Sequence, residues 1–225
     1  MFIFDPWYFL FIGPALLLGF WAQMRIRSTY GKAQKVAARL SGAAAARHIL
    51  DSAGLQQVAI EQVPGHLSDH YDPRAKVLRL SRDVYHNRSM AAVGIAAHEA
   101  GHAIQDARNY LPLVLRNAAV PVAGFGSNFG MILVILGAFF SQTLVWVGII
   151  LFACVVVFQL VNLPVEFDAS FRAKRQLVEH GIVDASDMTH VNKVLNAAAL
   201  TYVAATLTAV MTLLYLVMRF GGNRS

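Results

Sequence analysis

Asn117 to Val165, NAAVPVAGFGSNFGMILVILGAFFSQTLVWVGIILFACVVVFQLVNLPV, runs for 49 residues without one Asp, Glu, Lys, Arg or His. A membrane-spanning helix needs about 20 apolar residues. The run therefore holds two such helices and a short turn, and Phe140-Ser141-Gln142-Thr143 is the polar break that predicts where the turn lies. Pro6 to Met24 and Leu195 to Met218 are two more uncharged stretches of spanning length. Four spans make this a mainly α, polytopic membrane protein.

Composition agrees. The chain has 225 residues, of which 56% are hydrophobic and 14% charged, whereas soluble domains carry about 25% charged residues. The net charge of +6 does not point to nucleic acid, because the basic residues gather on particular loops and read as topology signals. No Lys or Arg precedes the first span, and Arg25, Arg27, Lys32 and Lys35 follow it. A cleaved signal peptide has the opposite order, so the first span is expected to stay, with its N-terminus outside. Of the 19 Lys and Arg residues, all but Arg219 and Arg224 then fall on one side, in residues 25–116 and 164–194. By the positive-inside rule that side is cytoplasmic. The single cysteine, Cys154, excludes an internal disulfide and a cysteine zinc site. It reads as a small hydrophobe in a span.

The polar part before the long run contains His98-Glu99-Ala100-Gly101-His102, an HExxH pattern. With 8 His and 4 Glu in the chain, shuffling gives roughly 0.005 occurrences, although a motif still needs its context. On a helix, residues i and i+4 share a face, so His98 and His102 can offer two imidazole nitrogens to one zinc ion. Glu99 then stands beside the metal as general base for an attacking water. Ser89 is the expected N-cap of a helix over 90–107. Gly94 and Gly101 weaken that helix by up to about 1 kcal/mol each against Ala, and a glycine inside a helix often marks another backbone close by.

A third ligand is needed. The metzincin pattern would put a histidine at position 108, which is Arg108, so this is another type of site. Downstream of His102 the Glu and His candidates are Glu166, Glu179, His180 and His190. Glu166 follows the third span directly, in Leu163-Pro164-Val165-Glu166-Phe167-Asp168. Carboxylates at a hydrocarbon boundary are costly unless paired or metal-bound, which favours Glu166. Asp168 reads either as an acceptor for a ligand imidazole N–H or as the ligand itself. Pro164 is expected to start or kink the helix. In the bland alternative both acids sit at a helix N-terminus, helped by its dipole.

Elsewhere in the polar part, Ser41 to Gly54 reads as a capped helix. Val58–Val63 and Lys76–Ser81 alternate like the strands of a hairpin. A strand just before an HExxH helix is where a zincin holds extended substrate by main-chain hydrogen bonds; the other reading is a small cap over the core. The Asp69-His70-Tyr71-Asp72 cluster is polar enough for function, but nothing assigns it a role.

Several blocks together carry a family resemblance: Ser68-Asp69-His70-Tyr71-Asp72-Pro73-Arg74, Val77-Leu78-Arg79-Leu80-Ser81, Ala96-Ala97-His98-Glu99-Ala100-Gly101-His102-Ala103-Ile104-Gln105, Leu163 to Ser170, and Ala199 to Ala204 with Tyr202. Over nearly its whole length the chain resembles the YugP-like membrane zinc metallopeptidases of bacteria. It is more loosely similar to the HtpX-type membrane gluzincins, in which a downstream Glu completes the site, and that analogy supports Glu166. The resemblance implies a multi-pass protein of the bacterial inner membrane with a zincin-like active site.

The expected organisation is transmembrane helix 1 in 1–25, a small α+β zincin-like cytoplasmic domain in 26–116, helices 2 and 3 in 117–165, a cytoplasmic segment bearing the third ligand in 166–194, and helix 4 in 195–218. The expected function is hydrolysis of membrane-associated or unfolded polypeptides at the cytoplasmic face. One Zn2+ per chain is held by His98, His102 and Glu166, with Glu99 catalytic. The partners are a peptide or protein substrate and the bilayer, with oligomers compatible and nucleic acid not expected. The competing reading is a non-catalytic scaffold or regulator with a structural zinc, in which His70, His180 or His190 closes the fourth position. A channel is disfavoured by spans that lack ionisable residues.

Overall fold

The structure, a computed structural model, describes residues 5–222. In chain order the elements are α1 (Pro6–Ala33), α2 (Gly42–Ser52), β1 (Ala59–Val63), β2 (His70–Asp72), β3 (Val77–Ser81), α3 (Arg82–His86), α4 (Met90–Ala107), α5 (Leu111–Phe140), α6 (Gln142–Glu179) and α7 (Met188–Gly221). The fold is mainly helical with one small mixed sheet. Helices α1, α5, α6 and α7 are long and apolar enough to cross a membrane. The turn expected near 140–143 is the single residue Ser141 between α5 and α6.

All four helices outrun their uncharged stretches, α5 by starting at Leu111, ahead of Arg116. Helix α1 continues to Ala33, and α7 begins at Met188, so His190 and Lys193 are already helical. Helix α6 runs through Pro164 to Glu179 without a break. Pro164 therefore does not start a helix, and Glu166 and Asp168 do not sit at a helix N-terminus. The dipole explanation of these two acids falls with that. A proline here leaves the carbonyl four residues earlier without its helical donor, and an apolar helix of this length tolerates the loss.

The chain divides into two compact units. One takes α1 as far as Ala22, Val114–Pro164 and α7 from Thr201. Within it α5 and α6 meet through glycines: a Cβ on Gly148 would come within 2.6 Å of the Gly130 carbonyl oxygen. Small residues that let backbones touch are the usual solution between apolar helices. Val134, Val145, Ile149, Tyr215 and Leu216 form the buried cluster beside them.

The other unit takes Gln23–Leu113 and Val165–Leu200. Its core is built on α4. Ser89 caps that helix by accepting from the Ala92 N–H at 3.2 Å, which satisfies one of the free donors of the first turn. Val93, Ala96, Ala97 and Ala100 are fully buried, in one cluster with Ala45, Ala46, Ile49 and Leu50 of α2. Alanines on both partners keep the two axes close. Leu177 of α6 and Val191 and Val194 of α7 complete the cluster.

The sheet has the order β1-β3-β2. Strand β1 pairs parallel with β3, Ile60 opposite Leu78, and β2 pairs antiparallel with β3, Tyr71 opposite Leu78. The stretches 58–63 and 76–81 are thus not a hairpin. The strand just before the motif helix is central: β1 pairs with it along Val77–Ser81 and β2 along Val77–Arg79. The turn cluster also gains a plain role. Asp69 accepts from the Ser81 N–H and Oγ at 2.8 and 3.0 Å. Asp72 accepts from Arg79 at 2.8 Å and from the turn N–H of Arg74 at 2.9 Å. His70 bonds to the Ser68 carbonyl at 2.8 Å. These contacts hold the β2–β3 turn in shape.

Candidate metal centre

Alpha-helical spacing puts His98 and His102 on one face of α4, with their rings 4.7 Å apart and nearly perpendicular. Both direct Nε2 toward one oxygen of a third residue. Glu166 Oε2 lies 3.2 Å from His98 Nε2 and 3.8 Å from His102 Nε2. All three side chains are largely shielded from solvent. Among the described residues, they form the one group of three or more metal-competent side chains, with ligand atoms within 4.8 Å of one another.

Gly101 explains how α6 comes so close. A Cβ there would lie 2.6 Å from the Ala169 carbonyl oxygen and 3.2 Å from its carbon. The α6 backbone occupies the space a side chain would need, which sets Glu166 and Ser170 against the motif. Gly94 serves a side chain instead, with Val191 Cγ1 3.2 Å from where its Cβ would be.

The remaining nitrogen of each imidazole is also engaged. His98 Nδ1 pairs with Ser170 Oγ at 3.1 Å, and His102 Nδ1 with Gln105 Oε1 at 2.9 Å. Gln105 is fully buried. Its amide donates to the Val165 carbonyl and to Asp168 Oδ2, both at 2.8 Å. Asp168 also accepts from Arg172 at 2.5 Å. Of the two roles read from the sequence for Asp168, neither is seen: it reaches no imidazole directly, and Gln105 stands between it and His102. Sequence reading passed over Gln105 and Ser170. The signal lay in their spacing, three residues after His102 and four after Glu166.

Glu99 is 8% exposed. It has no hydrogen bond or ion pair among the described residues, and its charge is felt at His102. Burial alone would depress the His102 pKa, but the carboxylates of Glu166 and Glu99 outweigh it and hold the imidazole above its ordinary value. The site attracts positive charge. Two imidazoles and one carboxylate are a donor set that zinc accepts. Two atoms about 2.0–2.1 Å from one tetrahedral ion lie about 3.4 Å apart, so the separations around Glu166 Oε2 fit. His70, His180 and His190 are not in this group. His180 pairs with Gln176 at 3.1 Å and meets the His48 ring edge-on, with centroids 5.4 Å apart.

The family described as "Putative neutral zinc metallopeptidase" matches residues 8–221. The chain belongs to this family. It is also 47% identical over 220 residues to the "Putative membrane protease YugP" of Bacillus subtilis (strain 168), covering 96% of this chain and 98% of that protein. No solved structure matches. Membership implies zinc and a polypeptide substrate, and the four long apolar helices accord with a membrane protein.

Proposed function

We propose that the protein is a membrane zinc endopeptidase that cuts membrane-associated or unfolded polypeptides at the cytoplasmic face. His98, His102 and Glu166 hold the zinc within a zincin-like domain, and Glu99 is the general base. The observation that carries this reading is the convergence of His98 Nε2 and His102 Nε2 on Glu166 Oε2, with Glu99 on the same helical turn. Bound there, zinc supplies a Lewis-acid charge that polarises a peptide carbonyl and acidifies water. The Glu99 carboxylate takes the proton of the attacking water as the new C–O bond forms. It returns that proton to the amide nitrogen as the C–N bond breaks. Ser170 and Gln105 keep the two imidazoles in orientation. The apolar flank of α4 keeps the carboxylate away from bulk water, and in that lower-dielectric surround its charge acts more strongly.

Three protein donors favour catalysis over a purely structural zinc, since structural sites are closed by four. The cytoplasmic placement is supported by the concentration of Lys and Arg in 25–116 and 164–194.

The test uses purified full-length protein and an unfolded reporter substrate. Glu99→Gln keeps shape and donor set but cannot accept the proton. Zinc content near one per chain with cleavage reduced at least 10²-fold is expected, since general bases contribute about 10²–10⁴. Glu166→Ala and His98→Ala should lose the zinc. Wild-type cleavage by Glu99→Gln overturns the catalytic reading, and full zinc retention by Glu166→Ala overturns the ligand set.

A further inference from the structure

We infer that Gln105 is a positioning residue that fixes the tautomer of His102, and that Asp168 acts through it. The inference rests on the zinc site proposed above and adds two residues to it.

A side-chain amide can face either way, but here its surroundings decide. The NH2 end lies 2.8 Å from two acceptors, the Val165 carbonyl and the Asp168 carboxylate. Neither can donate. Turning the amide over would set its oxygen against both, at a residue that is itself fully buried. The cost would be that of unmet buried polar groups, about 1–3 kcal/mol each. The two acceptors therefore pin both amide hydrogens, and the Gln105 oxygen must face His102 Nδ1 at 2.9 Å. That oxygen only accepts. His102 must then carry its proton on Nδ1, which leaves the Nε2 lone pair free on the side of Glu166 and His98.

His98 differs. Its Nδ1 meets the Ser170 hydroxyl, which can donate or accept, so this contact does not choose the tautomer. Only His102 is preset by a partner with one available role. Asp168 is held in place in turn by Arg172, whose guanidinium lies over the Tyr110 ring at 5.6 Å. The arrangement runs from α4 to α6 and back, and it fixes the imidazole before any metal arrives. Outer partners of this sort typically contribute 10–100-fold in metal affinity.

The experiment measures zinc affinity of the full-length protein by chelator competition, with the absorption spectrum of the cobalt(II) form as a second readout. Gln105→Leu removes the acceptor at similar volume and should weaken zinc 10–100-fold and shift the cobalt bands. Gln105→Glu keeps an acceptor for His102 but sets a second carboxylate against Asp168, and should also weaken binding. Adding Asp168→Asn restores a donor toward position 105, so the double variant should bind more tightly than Gln105→Glu alone. A structural role alone would not produce that recovery. In the zinc-loaded wild-type protein, histidine nitrogen NMR should show His102 protonated on Nδ1, a measurement that needs no variant to fold. Protonation on Nε2, or wild-type affinity in Gln105→Leu, overturns the inference. If His102→Ala retains zinc at full affinity, it is the underlying metal site that fails.

Discussion

Gly101 lacks a side chain because the Ala169 carbonyl stands where one would go. In Gly101→Ala the α6 backbone must move, and overpacking of this sort costs about 1–3 kcal/mol. The shift acts on the helix that carries Glu166. The expected result is a lower unfolding midpoint together with weaker zinc binding, read by thermal melts and metal analysis of the same sample. Unchanged zinc affinity would mean that Glu166 does not depend on this contact. The HExxH residues were legible in the sequence because helical geometry alone unites them. Glu166 was legible by scarcity, since few acids follow the motif. Gln105 left only its spacing from His102 as a signal: an amide has no bias toward metal sites, and its role depends on the residues that surround it.

The elements show a similar division. Ser89 and Ser41 marked their helices because a cap is a local event, and α4 spans the expected 90–107. Strand alternation revealed β1 and β3 but not their pairing. Strand β2 has three residues, too few to show a period, and its presence makes β3 central. Pro164 does not start a helix, because its local preference yields to the continuous helix α6 that runs through it. Strand β2 is tied to α4 by Asp106, which accepts from the Tyr71 hydroxyl at 2.7 Å and from Lys76 at 2.5 Å. Burial and the Asp106 carboxylate raise the Tyr71 pKa above its ordinary value. Its folded pKa exceeds the unfolded value of about 10, so the contribution is fully present below pH 10 and is lost as pH rises through the folded pKa. Tyr71→Phe should cost about 0.5–1.5 kcal/mol at neutral pH and flatten the alkaline fall in stability. Chemical denaturation of both proteins between pH 7 and 11 measures this; parallel curves would remove Tyr71 from the alkaline transition.

For the whole molecule, the distribution of basic residues predicts both termini outside and the motif inside. A periplasm-dependent reporter fused after Ser225 should be active. A cysteine at position 86, in a Cys154→Ala background, should react with an impermeant reagent only after the cells are opened. The reverse pattern would invert the orientation and with it the side on which substrates are met.

Glu166 belongs to a helix that begins only after α5 is complete. A ribosome makes His98, Glu99 and His102 first, and must then deliver two long apolar segments before it reaches the acid. On the proposed ligand set, a nascent chain that carries the motif alone would lack its third donor. The site would stay incomplete until the second of those segments has been synthesised, so the order of translation would itself withhold zinc from the unfinished chain.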